Sequence, residues 1–188
     1  MKIAYLAWGS LKWNPEDLLI KSENSWIYSN LKLPLEFSRI SDQGKGRLTL
    51  VIDEENGTLN NVWYAHSTTN NVNNAINSLK KREKTTLNNI AYINLKSNKS
   101  RIINTPKDIV LNIIEWMKKN NIDVVIWTDL KSNWENIMHT KYNNNKAYDY
   151  FKKSVLETRL KQLEYIYKAN HISMIKTSFS DYFFTQLH

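Results

Sequence analysis

Two short pieces of this sequence could do chemistry: the tripeptide Gly9-Ser10-Leu11 and the carboxylate of Glu83. The tripeptide follows an apolar, strand-forming run from Ile3 to Ala7 that stops abruptly at Trp8. Gly9 suits a backbone conformation that a side chain would forbid, and a turn there leaves several N–H groups unpaired by a sheet. With the Ser10 hydroxyl beside them, such groups can form a concavity for a carboxylate or a developing oxyanion. The plainer reading is a strand-to-helix connection in which Gly9 and Ser10 make the turn and cap the next helix. Glu83 closes a helix expected over about 70–84, whose inward stripe is Val72, Ala75, Ile76 and Leu79. At roughly 100° per residue Glu83 returns to within about 20° of the direction of Val72. It also falls in the last turn, where the helix macrodipole disfavours negative charge by about 0.3–1 kcal/mol. Two explanations for an inward acid at the wrong helix end stand level. One is an ion pair with Arg39 or Arg82; the other is a catalytic carboxylate whose basicity is raised by partial burial.

Other chemistries find little footing. The chain has no cysteine, which removes disulfides, thiolate metal sites and thiol nucleophiles. His66, His139, His171 and His188 are widely separated, so no metal site is expected. There is no Walker-type loop, no GxGxxG and no G-x-S-x-G around Ser10, and no cofactor is expected. A formal charge of +8 invites a nucleic-acid reading. The lysines, however, are spread along the chain, and the longest basic cluster, Lys80-Lys81-Arg82, runs straight into Glu83. Nucleic acid is therefore not the expected partner. No apolar run approaches the roughly 18–20 residues that cross a bilayer, and the start lacks a signal-peptide core. A cytoplasmic protein with no membrane partner is the expectation.

At 188 residues and 41% hydrophobic content the chain can bury one full core, so a single domain is expected. Asn14-Pro15-Glu16-Asp17 reads as a helix start, with a short helix from Pro15 to about Ile20. Residues 33–41 and 47–53 alternate as a hairpin around the loop Asp42-Gln43-Gly44-Lys45-Gly46, and 61–67 form a third strand after Asn56-Gly57. A strand over 90–95 brings Tyr92 into the sheet. Thr105 and Pro106 cap and open a helix running to about Lys119, with Ile109, Ile113, Trp116 and Met117 inward. Residues 123–128 should be a strand covered on both faces. A loop follows to Asn145, then the longest helix, about 146–170, a last strand in His171–Lys176, and aromatic residues Tyr182, Phe183 and Phe184 that need docking.

The Trp-Gly-Ser-Leu opening, the hairpin segment Leu33 to Arg39 and the Arg82-Glu83 helix end before a strand resemble the γ-glutamylcyclotransferase-like family. That family opens on Tyr-Gly-Ser-Asn or Tyr-Gly-Ser-Leu. The likeness is strongest to a little-characterised bacterial branch in which Trp replaces the Tyr and a Val-Ile-Trp-Thr segment, here Val125 to Thr128, recurs. It covers about Met1 to Leu95. The resemblance implies an α+β fold, a small mixed β-barrel or sheet with packed helices, spanning 1–188 as one domain with 146–188 a C-terminal helical extension. It also implies an enzyme that releases 5-oxoproline from a small γ-glutamyl amine or peptide by intramolecular amine attack. Glu83 would be its acid/base, and Trp8, Gly9, Ser10, Leu11, Arg39 and Tyr92 would bind substrate. The alternative is a non-catalytic small-molecule-binding or protein-interaction domain using the same pocket. Trp8 stands where the family has Tyr, and Lys84 follows Glu83 where many relatives have Gly.

Overall fold

The computed structural model describes residues 1–42 and 45–187. Within them lie β1 (Ile3–Ala7), β2 (Ile27–Ser41), β3 (Arg47–Ile52), β4 (Thr58–His66), α1 (Val72–Arg82), β5 (Ile90–Asn94), β6 (Lys99–Arg101), α2 (Lys107–Lys119), β7 (Val124–Thr128), α3 (Trp134–Met138), α4 (Asn144–Lys153), α5 (Leu156–His171) and α6 (Ser178–Thr185). The fold is α+β. Its seven strands run in the order β3-β2-β4-β1-β7-β5-β6. The pair β1–β7 is parallel, while β1–β4, β2–β3, β5–β6 and β5–β7 are antiparallel. Because the order has two ends, the sheet is open, which corrects the expected barrel: β3 and β6 do not pair to close it. Among the described residues no helix is long and apolar enough to cross a membrane.

The chain divides into two compact units, the first made of Met1–Leu31 and Asn61–Leu130. Its centre is β1, every residue of which is buried, paired on one side with β4 and on the other with β7. Ile3, Tyr5 and Ala7 point to one face, where Ala75, Ile76 and Leu79 of α1 join Leu11, Leu18, Trp26, Ile90 and Ile126 in one cluster. The Asn71 side chain caps α1 by accepting from the Asn74 N–H. The Tyr5 hydroxyl donates to the Ala75 carbonyl at 3.2 Å, fixing helix against strand, and burial pushes the phenol pKa up. α2 buries Ile109, Ile113, Trp116 and Met117, as its spacing predicts. Thr105, read as its cap, instead donates its hydroxyl to Asp129 Oδ1 at 2.6 Å and receives the Trp127 indole N–H at 3.0 Å. Both Trp127 and Asp129 are buried, and Asp129 also accepts from the N–H groups of Ile103 and Asn104.

Several local expectations in this unit need correction. No helix follows Pro15, because Glu16 takes a left-handed φ of 50°, which stops propagation at once. The strand expected from 33 begins at Ile27, and the short β6 carries no hydrophobic pattern by which to be read.

The second unit comprises Lys32–Asn60 and Lys131–His188. Here β2 and β3 form the expected hairpin, Leu35 opposite Ile52 and Ser41 opposite Arg47, with a register shift between Glu36 and Arg39. The Gln43 and Gly44 of its loop, like His188, lie outside the described residues. Beyond β3, the Asp53 carboxylate accepts from the N–H groups of Glu55 and Asn56. Gly57 is required in this turn: a Cβ there would sit 2.2 Å from the Asp53 carbonyl oxygen and 2.6 Å from the Pro34 carbonyl carbon.

The stretch expected as a loop to Asn145 contains α3, and the helix expected over 146–170 is two helices. Ser154 and Val155 are both extended between them, and the Ser154 hydroxyl donates to the Tyr150 carbonyl at 2.9 Å, competing with the helix ladder. No strand forms at 171–176. Met174 instead takes a left-handed φ of 56° just past α5, while the Ile175 N–H bonds back to the Ala169 carbonyl. Met174 is exposed, so Met174→Gly should raise stability by about 1 kcal/mol, read as a higher urea midpoint at unchanged slope. The terminal aromatics are docked: the Phe183 ring lies 4.9 Å from Phe151 and 5.8 Å from Tyr148 of α4.

Candidate functional site

The turn after β1 is built by its carbonyls. Lys12 N–H donates to Gly9 O at 3.0 Å and Asn14 N–H to Ser10 O at 2.8 Å, so the amides of Ser10 and Leu11 are not the groups that close it. Among the described glycines the left-handed φ belongs to Gly46, not Gly9. Gly9 therefore makes this turn without the special conformation expected of it. Trp8, Gly9 and Leu11 are buried and Ser10 is half-buried. The Lys12 ammonium lies 4.5 Å over the Trp63 ring, and burial pushes its pKa down.

Opposite this turn α1 ends in a Schellman arrangement: Lys84 N–H reaches Lys81 O and Thr85 N–H reaches Lys80 O, with Lys84 at a φ of 49°. That is the position helices prefer to fill with glycine. Glu83 is the cap residue itself, its N–H bonded to Leu79 O at 2.9 Å. Its side chain is 23% exposed and its Oε1 meets Arg82 Nη1 at 2.5 Å.

Arg82 is the hub of the site. Its side chain is only 6% exposed, and its guanidinium fork donates to Ser10 Oγ at 3.2 Å and to Asn14 O at 2.6 Å and 3.1 Å. One planar group thus joins the turn after β1 to the carboxylate at the end of α1, the bidentate use for which arginine is suited. Of the two roles open to Glu83, the ion pair is made, and its partner is Arg82. The contact engages Glu83 Oε1. The Asn14 carbonyl is the partner that sequence reading missed; no side-chain signal marks a backbone acceptor.

The remaining site candidates lie elsewhere. Tyr92 is half-buried on β5, its ring 5.5 Å from the Arg101 guanidinium. Arg39 belongs to the second unit, where its Nη1 donates to the Lys131 carbonyl at 2.9 Å. Among the described residues no group of three or more histidines and acids could hold a metal ion. The structure thus unites Ser10, Arg82 and Glu83, a neutral hydroxyl, a cation and an acid. No protein-family model, no curated protein and no solved structure matches this chain.

Proposed function

We propose that this chain is a γ-glutamylcyclotransferase-like enzyme acting on a small γ-glutamyl amine or peptide, with Glu83 as acid/base and the turn from Trp8 to Leu11 as part of the substrate site. The observation that supports this reading is the Arg82 fork, which ties Glu83 Oε1 to the Ser10 hydroxyl at the turn after β1. In the reaction, Glu83 takes a proton from the substrate's α-ammonium group. The freed amine attacks the γ-carbonyl carbon of the same molecule, a C–N bond forms to close 5-oxoproline, and the C–N bond to the leaving amine breaks. The carboxyl returns its proton to the departing nitrogen, and the ring nitrogen gives up its second proton to the freed carboxylate, which passes it on to the departing amine. Because nucleophile and electrophile belong to one molecule, the protein has only to fold the substrate and move protons.

A second reading, a non-catalytic domain that holds a ligand at the same turn, is favoured by the same contact seen differently. A 2.5 Å ion pair to an arginine with 6% exposure is also a good structural clamp. Incubation with a panel of γ-glutamyl amines and peptides separates the two. Release of 5-oxoproline supports the enzyme, whereas a ligand retained on the protein without turnover gives the site to the binding domain.

A further inference from the structure

One face of α5 is turned away from its own unit. Thr158, Gln162, Tyr165, Ile166 and Ala169 are buried, while Leu156, Leu160, Leu163 and Tyr167 on the opposite side are 62%, 57%, 36% and 55% exposed. Those four are spaced 4, 3 and 4 residues apart. That is the d-a-d-a rhythm of a coiled-coil seam, and a helix presenting it to water is missing a partner.

The residues flanking the stripe say which partner. In this register Arg159 falls at position g and Glu164 at position e of the next heptad, on opposite sides of the seam. In a parallel pair of identical helices, g of one chain meets the following e of the other, so Arg159 would face Glu164 of a second copy, twice over by symmetry. An antiparallel pair would instead bring Glu157 against Glu164 and leave Arg159 beside the buried Ile166, with no charge to meet. Arg159 is half-buried, and its Nε has no hydrogen-bond partner among the described residues. Glu164 is exposed and paired along its own helix with Lys168, with the Arg47 charge also acting on it.

We infer that α5 is a self-association surface, joining two copies of this chain in parallel through Leu156, Leu160, Leu163 and Tyr167, with Arg159 and Glu164 setting the register. The seam is about 16 Å long and falls short of the roughly 800 Å² per partner of a standard interface. The dimer is therefore weak and concentration-dependent.

Sedimentation velocity on the whole chain, from the micromolar to the submillimolar range, reads the proposal directly. The wild type should move from monomer to dimer, and Leu160→Ser should stay monomeric with an unchanged circular dichroism spectrum. Arg159→Glu and Glu164→Arg should each weaken association by about tenfold, and the double variant R159E/E164R should restore it. The proposal is overturned by a wild type that is monomeric throughout, by a dimer indifferent to Leu160→Ser, or by a double variant that fails to recover. A monomer that floats with phosphatidylcholine–phosphatidylserine vesicles would give the stripe to a lipid surface instead.

Discussion

On the proposed activity, Glu83→Gln should lower the release of 5-oxoproline by about 10²–10⁴-fold, the usual worth of a positioned acid/base. Glutamine keeps an oxygen for Arg82 Nη1, so the contact that ties α1 to the Ser10 turn can survive while the proton acceptor is lost. Its melting temperature should consequently stay near that of the wild type. Arg82→Met is the informative contrast, since it strips hydrogen bonds from Ser10 Oγ and the Asn14 carbonyl as well as from Glu83. That variant should lose both stability and turnover. If Glu83→Gln turns over substrate as fast as the wild type, Glu83 is a clamp and the acid/base lies elsewhere.

How much of this site could be read beforehand divides along a physical line. The strand β1 and its stop at Trp8 were legible because a continuous apolar run has few uses other than a buried strand. The stripe of α1 was legible because its spacing is local, and so was the level choice between ion pair and catalytic acid at Glu83. What could not be read rests on local conformational choices that the residue types do not announce. The turn at Glu16 needs a left-handed residue that its Asn-Pro-Glu-Asp helix signal contradicts. The break between α4 and α5 depends on the Ser154 hydroxyl choosing a carbonyl over solvent. Had those two helices been one, the exposed stripe of α5 would have merged with the docked aromatics of α4 and passed as ordinary packing.

Glu36 was the largest omission, since alternation in Leu33 to Ser41 places it on the outer face, yet it is fully buried. Its Oε1 accepts from the Phe37 N–H at 2.8 Å and its Oε2 from the Phe179 N–H at 3.3 Å, in the first turn of α6. Burial raises its pKa from 4.5 to about 7; hydrogen bonds from Thr177, Phe37 and Phe179 pull the other way, and Asp53 adds to the rise. A helix N-terminus stabilises an anion by about 0.3–1 kcal/mol, too little to offset desolvation worth several pKa units in a buried carboxylate. The unfolded chain ionises this group near 4.5 and the folded chain near 7, so between those values the folded state holds the extra proton. Stability is therefore lost as pH rises from about 4.5 to about 7, by about 3 kcal/mol in all, and is flat in this group above that window. Glu36→Gln should abolish most of that slope. The variant should be more stable than the wild type at pH 8 and equal or slightly weaker near pH 5, where a protonated Glu36 already avoids the buried charge. Urea unfolding of both proteins across this range isolates the group, because every other titration is common to the pair. Parallel stability curves for the two would mean that Glu36 keeps an ordinary carboxylate pKa and that its hydrogen bonds, not its burial, govern it.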